Sequence, residues 1–95
     1  MSDVISEAVS QLNAKISGGF DGSAKFVIVG EGAVIIDSTG ARASDEDADV
    51  TLTASTETFK AILDGQQNPT AAFMTGKLKI DGNMGTAMRL AGVLA

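Results

Sequence analysis

The spacing of hydrophobic positions predicts a helix at the start of the chain. Residues 3–17 repeat apolar positions at helical spacing, which is typical of a helix with one buried face. That face consists of Val4, Ile5, Ala8, Val9, Leu12 and Ile16. We expect Ser2 or Asp3 to cap this helix and Gly18 and Gly19 to end it.

Shorter segments that follow are rich in β-branched residues and predict strands. We predict strands over residues 24–29, 33–37, 41–44 and 49–54. Gly30-Glu31-Gly32 lies between the first two segments and predicts a hairpin loop. The segment at 41–44 is short and is predicted as an edge strand.

Two helices are predicted next, and each has recognisable end signals. Ser55 is a favourable N-cap, and Gly65 is expected to stop the helix that it begins. The apolar face of this helix consists of Phe59, Ile62 and Leu63. Asn68 and Pro69 suit the N-cap and first position of a shorter helix, which we expect to end at Gly76.

A strand and a final helix complete the pattern. Residues 77–80 alternate polar and apolar, so we expect Leu78 and Ile80 to face inward and Lys77 and Lys79 to be exposed. Asp81-Gly82 is expected to close the strand with a turn. The last helix has apolar positions at Met84, Ala87, Met88, Ala91 and Leu94, and we expect it to present its two methionines inward.

These elements predict an α+β domain that spans residues 1–95, with a mixed five-stranded sheet and helices on one face. More than 20 residues and two helices separate the strand at Asp49 from the strand at Lys77, which favours a right-handed crossover between parallel strands. Strands joined by tight turns are expected to be antiparallel. The other face of the sheet should be mostly solvated. The buried face is expected to include Phe26, Val34, Ile36, Val50, Leu52, Leu78 and Ile80.

Composition excludes several classes of protein. The chain has 95 residues, a net charge of −5, no His and no Cys, so disulfides and the commonest metal and general-base side chains are absent. An acidic chain lacks the basic footprint of a nucleic-acid-binding protein. No apolar run approaches the roughly 20 residues of a membrane helix, and residues 1–5 lack the basic start of a signal peptide. We therefore expect a soluble cytoplasmic domain.

Two short patterns resemble ligand-binding motifs, but each lacks residues that its motif requires. Gly30-x-Gly32 lacks the third glycine of a dinucleotide loop and leads into a strand. Asp45, Asp47 and Asp49 alternate as in a calcium loop, but Val50 and Thr56 occupy the positions that need Gly and Glu. We predict a hairpin and a solvated acidic turn, no metal or cofactor, and no catalytic group.

Two runs of sequence resemble the sterol carrier protein 2 family of lipid-binding domains. The first is residues 72–83, Ala-Phe-Met-Thr-Gly-Lys-Leu-Lys-Ile-Asp-Gly-Asn, and the second is residues 48–53, Ala-Asp-Val-Thr-Leu-Thr, followed by Ser55, Glu57, Phe59 and Gly65. The resemblance covers roughly residues 48–90 well. It implies a five-stranded sheet and an apolar tunnel between sheet and helices.

The resemblance implies a lipid or acyl-chain ligand: a fatty acid, acyl-coenzyme A, phospholipid or sterol, with transient membrane contact. The predicted cavity residues are Phe26, Val34, Ile36, Leu52, Phe59, Ile62, Leu63, Phe73, Met74, Leu78, Ile80, Met84 and Met88. The pattern alone favours methionines that fill an ordinary core, and the family resemblance shifts the prediction to a lipid site. A closed protein-interaction module and an accessory domain of a separate lipid-metabolising enzyme remain alternatives. We expect a monomer or a weak dimer.

The energetics of an empty tunnel set a further expectation. A dry cavity of about 300 Å³ costs on the order of 7 kcal/mol. A domain of this size has only about 5–14 kcal/mol of stability. The empty protein is therefore expected to be partly collapsed, or to hold lipid when purified.

Overall fold

The computed structural model describes residues 3–16 and 19–94 and contains four helices and five strands within them. In chain order the elements are α1 (Asp3–Ile16), β1 (Ala24–Ile28), β2 (Gly32–Asp37), β3 (Gly40–Ala43), β4 (Val50–Ala54), α2 (Thr56–Leu63), α3 (Pro69–Met74), β5 (Leu78–Gly82) and α4 (Met84–Leu94). The predicted N-cap Ser2 and the predicted helix end at Gly18 lie outside the described residues. None of the described helices is both long and apolar enough to cross a membrane.

The strands form one mixed sheet in the order β3-β2-β1-β4-β5. The three antiparallel pairs are β1 with β2, β2 with β3, and β4 with β5, and the parallel pair is β1 with β4. The sheet is mixed as predicted, and β3 is an edge strand as predicted.

The predicted parallel pairing of β4 and β5 is wrong. Leu78 at the start of β5 pairs with Ala54 at the end of β4, so the connection through α2 and α3 returns the chain to the end of the sheet that it left. A long connection permits a parallel crossover but does not require one, because two helices can reverse the chain direction twice.

Helix ends follow the predicted signals where the structure describes them. The Ser55 hydroxyl accepts a hydrogen bond from the Thr58 amide at 3.1 Å, and the Asn68 side chain accepts from the amides of Thr70 and Ala71 at 2.8 and 3.1 Å. These bonds satisfy amide donors that have no partner within the first turn of a helix.

The end of β5 is held against the start of β4. Asp81 and Gly82 continue the strand instead of closing it, because Gly82 pairs with Val50. Gly82 has a φ of +117°, and a Cβ atom there would lie 2.6 Å from the Asp49 carbonyl oxygen. Only glycine permits this close approach of two backbones without strain.

The core lies between the sheet and the helices. Among the large side chains, it contains Phe26, Leu52 and Phe59, each 0–1% exposed. Lys79 is exposed on the strand that buries Leu78, and Lys77, just before the strand, is exposed as well, which confirms the predicted register of β5.

The opposite face of the sheet is less solvated than predicted. Ile35 is 2% exposed, although its side chain points away from the helices that cover Val34 and Ile36. The strand register places Ile35 beside Lys25 and Arg42, whose aliphatic stems can shield it.

Candidate functional site

The inner face of the sheet carries an uninterrupted apolar row across four strands. The register aligns Val34 with Phe26, Phe26 with Leu52, and Leu52 with Ile80. Strands about 4.8 Å apart place the ends of this row roughly 14 Å from each other. All four of these side chains are among those predicted to line the cavity.

Helix α2 covers the centre of this row because its apolar positions fall on one face. Phe59, Ile62 and Leu63 are all buried. The rings of Phe26 and Phe59 meet edge to face, with their centroids 4.5 Å apart and their planes at 61°. This pair forms the central contact between sheet and helix layer and is a favourable aromatic geometry.

Helix α4 packs against β1, β4 and β5 and against α1 and α3. The buried positions of α4 are Thr86, Ala87, Leu90, Ala91 and Leu94. Most of these side chains are small, so the helix brings little apolar volume to the interface.

The structure places nine of the predicted cavity residues at the interface between sheet and helices. Eight are buried: Phe26, Val34, Ile36, Leu52, Phe59, Ile62, Leu63 and Leu78. Ile80 packs against the core but stays partly exposed, because β5 is an edge strand. The prediction that Ile80 is buried against the helices is therefore correct only in part.

The other four predicted residues are on the surface. Phe73 is 36% exposed, Met74 79%, Met84 42% and Met88 40%. The prediction that the methionines of the last helix point inward is wrong. These four side chains do not line the apolar interface in the closed structure.

The methionine error corresponds to a rotation of the helix by about a third of a turn about its axis. Leu90 is completely buried and Thr86 is 2% exposed, so the buried stripe of α4 is centred roughly 110° away from Met84 and Met88, at about 100° per residue. Asn83 sets this rotation at the start of the helix, where its side chain accepts a hydrogen bond from the Thr86 amide at 2.9 Å. Leu90 could have been found from the sequence, because it completes the i, i+3, i+4 pattern with Ala87 and Ala91.

A cleft of about 40 Å³ opens between α1 and α2. Its lining includes Val4, Ala8, Phe59 and Leu63, with the charged side chain of Lys60 beside them. An apolar cavity of about 150 Å³ is what benzene requires, so this cleft cannot hold an acyl chain. A long ligand needs a wall of the interface to move.

Three of the four ion pairs among the described residues involve the β2–β3 hairpin or the loop that follows it. Asp37 contacts Arg42 at 2.7 Å, and Arg42 contacts Glu46 at 3.1 Å. Hydrogen bonds from Thr39 and Arg42 lower the pKa of Asp37 to about 2. Hydrogen bonds from Ser44 and Arg42 likewise lower the pKa of Glu46.

Asp45 in the predicted acidic turn contacts Lys25 at 3.1 Å. Within residues 3–16 and 19–94, no cluster of three or more acidic, His or Cys side chains is arranged to hold a metal ion. Arg89, considered as a contact for an anionic headgroup, lies 3.8 Å from Asp21 and is more than half exposed.

Comparison with known proteins identifies relatives of the sequence. Residues 6–95 match the SCP-2 sterol transfer family. Sterol carrier protein 2 of Homo sapiens is 53% identical over 47 residues, which cover 50% of this chain and 9% of that protein. A fatty acid-binding protein of Yarrowia lipolytica is 40% identical over 55 residues, which cover 58% of this chain and 43% of that protein. The matched segments are thus less than half the length of these relatives.

Solved structures share the architecture. The sterol carrier protein domain 2 of Helicoverpa armigera superposes with a TM-score of 0.72 at 30% identity, covering 96% of this chain and 84% of that one. Sterol Carrier Protein-2 of Aedes aegypti, solved in complex with the C16 fatty acid palmitate, has the same fold with a TM-score of 0.79 at 21% identity and coverage of 100% and 97%. With the family match over nearly the whole sequence, these similarities establish that the chain belongs to the SCP-2 sterol transfer family.

Proposed function

We propose that this protein reversibly binds the acyl chain of a lipid between its sheet and its helices, without covalent chemistry. The proposal rests on one observation, the apolar row that runs through Val34, Phe26, Leu52 and Ile80 beneath the helix layer. No charged side chain interrupts this row. Membership of a sterol transfer family supports a lipid as the ligand.

The length of the acyl chain decides whether binding is favourable. Opening a cavity of about 300 Å³ costs on the order of 7 kcal/mol, whereas each buried methylene contributes about 0.8 kcal/mol. Roughly nine methylenes are therefore needed before burial offsets the opening. Fatty acids of sixteen carbons meet this condition and eight-carbon fatty acids do not.

Displacement of a fluorescent fatty acid from lipid-extracted protein tests the proposal. The Aedes aegypti protein was solved with palmitate, so palmitate is the first competitor to use. We expect saturable displacement by palmitate and none by octanoate at the same concentration. Native mass spectrometry of freshly purified protein should show a bound species that extraction removes.

A substitution at the open end of the row tests the location of the site. Ile80→Asn places an amide against the ligand, and an unpaired buried amide costs about 1–3 kcal/mol, or roughly a tenfold loss of palmitate affinity. The matched control is Val29→Asn, because Val29 is 60% exposed and outside the row. Thermal melting should show that both variants fold.

Two results would contradict the proposal. The first is the absence of saturable binding combined with concentration-dependent self-association, which would favour a protein-interaction module with a closed core. The second is equal loss of affinity in Ile80→Asn and Val29→Asn, which would place the ligand elsewhere.

A further inference from the structure

Charge is distributed very unevenly along this acidic chain. Residues 1–64 carry eleven acidic and four basic side chains, whereas residues 65–95 carry one acidic and three basic side chains. The first part therefore has a net charge of −7 and the second a net charge of +2. The positive part includes α3, β5 and α4.

The same part of the chain carries most of the exposed large hydrophobic side chains of the described structure. Phe73, Met74, Met84, Met88 and Val93 belong to it, and only Val29 lies outside it. Met74 has the greatest exposure of this set at 79%. Exposed apolar side chains and excess positive charge thus occur together.

Some of these groups converge at the β5 edge of the sheet. An open depression of about 500 Å³ is lined in part by Phe73, Leu78, Lys79 and Ile80. Asp81, the single acid of residues 65–95, also lines it. Lys77 is exposed and lies in the bend between α3 and β5, immediately before the strand that carries Lys79. Met74 follows Phe73 at the end of α3.

The two lysines of this edge have no carboxylate partner, unlike three other cations of the described residues. Lys25, Arg42 and Arg89 each lie within 4 Å of a carboxylate. The ammonium groups of Lys77 and Lys79 have no ion-pair or hydrogen-bond partner among the residues that the structure describes. Their charges are therefore available to an external anion.

We propose that the β5 edge is the face with which this protein docks onto an anionic lipid bilayer, and we name it the β5-edge patch, comprising Phe73, Met74, Lys77 and Lys79. The two lysines meet anionic headgroups, while the two apolar side chains enter the boundary between headgroups and acyl chains. This inference rests on the proposed lipid-binding function, because a protein that exchanges lipid must contact a membrane.

Charge asymmetry gives the docking a defined orientation. The acidic remainder of the protein is repelled by an anionic surface, whereas the β5-edge patch is attracted to it. Ile80 connects the two sites, since it lines the depression and also ends the apolar row of the sheet. A docked protein would thus hold one end of its acyl-binding interface against the bilayer.

Sedimentation with vesicles tests the proposal. The probes are phosphatidylcholine vesicles with and without about one third phosphatidylserine, and only the anionic vesicles should retain the protein. One lysine near an anionic surface contributes roughly fivefold in affinity, so Lys79→Glu should weaken binding at least fivefold and Lys77→Glu with Lys79→Glu should abolish it. Lys15→Glu is the matched control, because it changes the net charge equally from an exposed position on α1.

The apolar contribution has its own pair of variants. Met74→Ser should weaken binding to anionic vesicles severalfold, whereas Val93→Ser should not, although Val93 is also 40% exposed. Raising the ionic strength should weaken binding of the wild-type protein, because salt screens the lysine charges. Both Met74 and Val93 are exposed enough that these changes should leave the fold intact.

Three outcomes would overturn the proposal. The first is equal binding of the protein to neutral and to anionic vesicles. The second is an equal loss of vesicle affinity in Lys79→Glu and Lys15→Glu. The third is a change of self-association instead of vesicle binding in the Lys79→Glu variant, which would make the patch a protein interface.

Palmitate displacement in solution distinguishes this proposal from the proposed acyl-binding function. Lys79→Glu should keep full palmitate affinity, so a failure of docking would leave the acyl site intact, and a failure of palmitate binding would leave vesicle docking measurable.

Discussion

At the scale of single residues, Asn13 shows how one side chain can complete the edge of a sheet. Its amide nitrogen donates to the Ala41 carbonyl at 3.0 Å, and its amide oxygen accepts from the Ala41 amide at 2.8 Å. The side chain thus replaces the strand that β3 lacks on its outer side. Gly40 makes room for it, since a Cβ there would lie 2.6 Å from the Asn13 oxygen. Satisfied edges resist pairing with other chains.

We predict that Asn13→Ala destabilises the protein by about 1–2 kcal/mol, because it leaves two part-buried backbone groups without their partner. In a domain of this size, a loss of 1 kcal/mol lowers the melting temperature by about 4–8 °C. Thermal melting measures the effect. Ser10→Ala, on an exposed position of the same helix, is the control and should be neutral or slightly stabilising.

The variant Asn13→Asp distinguishes the contributions of the two hydrogen bonds to stability. A carboxylate can still accept from the Ala41 amide but cannot donate to its carbonyl, so this variant should be as unstable as Asn13→Ala or more so. A melting temperature equal to that of Ser10→Ala would show that the Asn13 contact contributes nothing to stability.

At the scale of elements, α4 is a wall of the interface that should open more easily than α1. It buries two large side chains, Leu90 and Leu94, together with small ones. Helix α1 buries three large ones: Ile5, Leu12 and Ile16. Because stabilisation by burial scales with apolar area, α4 should detach at the lower cost. Elements that move come from the least stable parts of a structure.

Hydrogen exchange tests this prediction about α4. In lipid-extracted protein, the amides of residues 88–94 should exchange faster than those of Val50–Ala54, and palmitate should slow the exchange of residues 88–94. The amide of Thr86 should exchange more slowly than the amides of Met84 and Gly85 in the same first turn, because Asn83 accepts its hydrogen bond. If residues 88–94 are as protected as β4 without lipid, the ligand enters by another route.

Gly92→Ala offers a matched change in the same helix. No atom lies within 4 Å of an added Cβ at this position, so the substitution introduces no clash. Alanine stabilises a helix by about 1 kcal/mol relative to glycine. In this variant, the backbone amides of residues 88–94 should therefore exchange their hydrogens more slowly than in the wild-type protein. The variant should also take up fluorescent fatty acid more slowly.

At the scale of the whole molecule, a small core limits how much empty space the protein can hold. The Cα radius of gyration is 11.5 Å. An open cavity of about 300 Å³ would cost on the order of 7 kcal/mol, a large part of the roughly 5–14 kcal/mol available to 95 residues. The close contact of Phe26 with Phe59 agrees with a collapsed state in the absence of ligand.

Lipid should therefore raise the stability of the protein strongly. Free palmitate at 100 times its dissociation constant contributes about 2.7 kcal/mol by mass action. A gain of 1 kcal/mol raises the melting temperature of a domain of this size by about 4–8 °C, so the melting temperature should rise by roughly 10–20 °C. Calorimetry of lipid-extracted protein with palmitate, and with octanoate as control, measures this shift. An unchanged melting temperature at saturating palmitate would contradict binding to the folded state.

Local sequence determined the elements and the face that each strand buries. The Ser55 and Asn68 caps, the alternation in residues 77–80 and the core positions Phe26 and Leu52 depend on short-range geometry, so the sequence predicted them. The family motif in residues 72–83 likewise predicted the α+β fold. These features involve residues close in the chain, whose spacing alone fixes their direction.

Only the tertiary structure decided how the elements meet. The antiparallel pairing of β4 with β5, the burial of Ile35 and the exposure of Met74 and Met88 all depend on neighbours that are distant in sequence. A helix can rotate by part of a turn, and a long connection can return the chain to either end of a sheet, without changing the local pattern. Packing against the rest of the fold selects among these alternatives, because it decides which arrangement buries Leu90 and places Ile80 at the sheet edge.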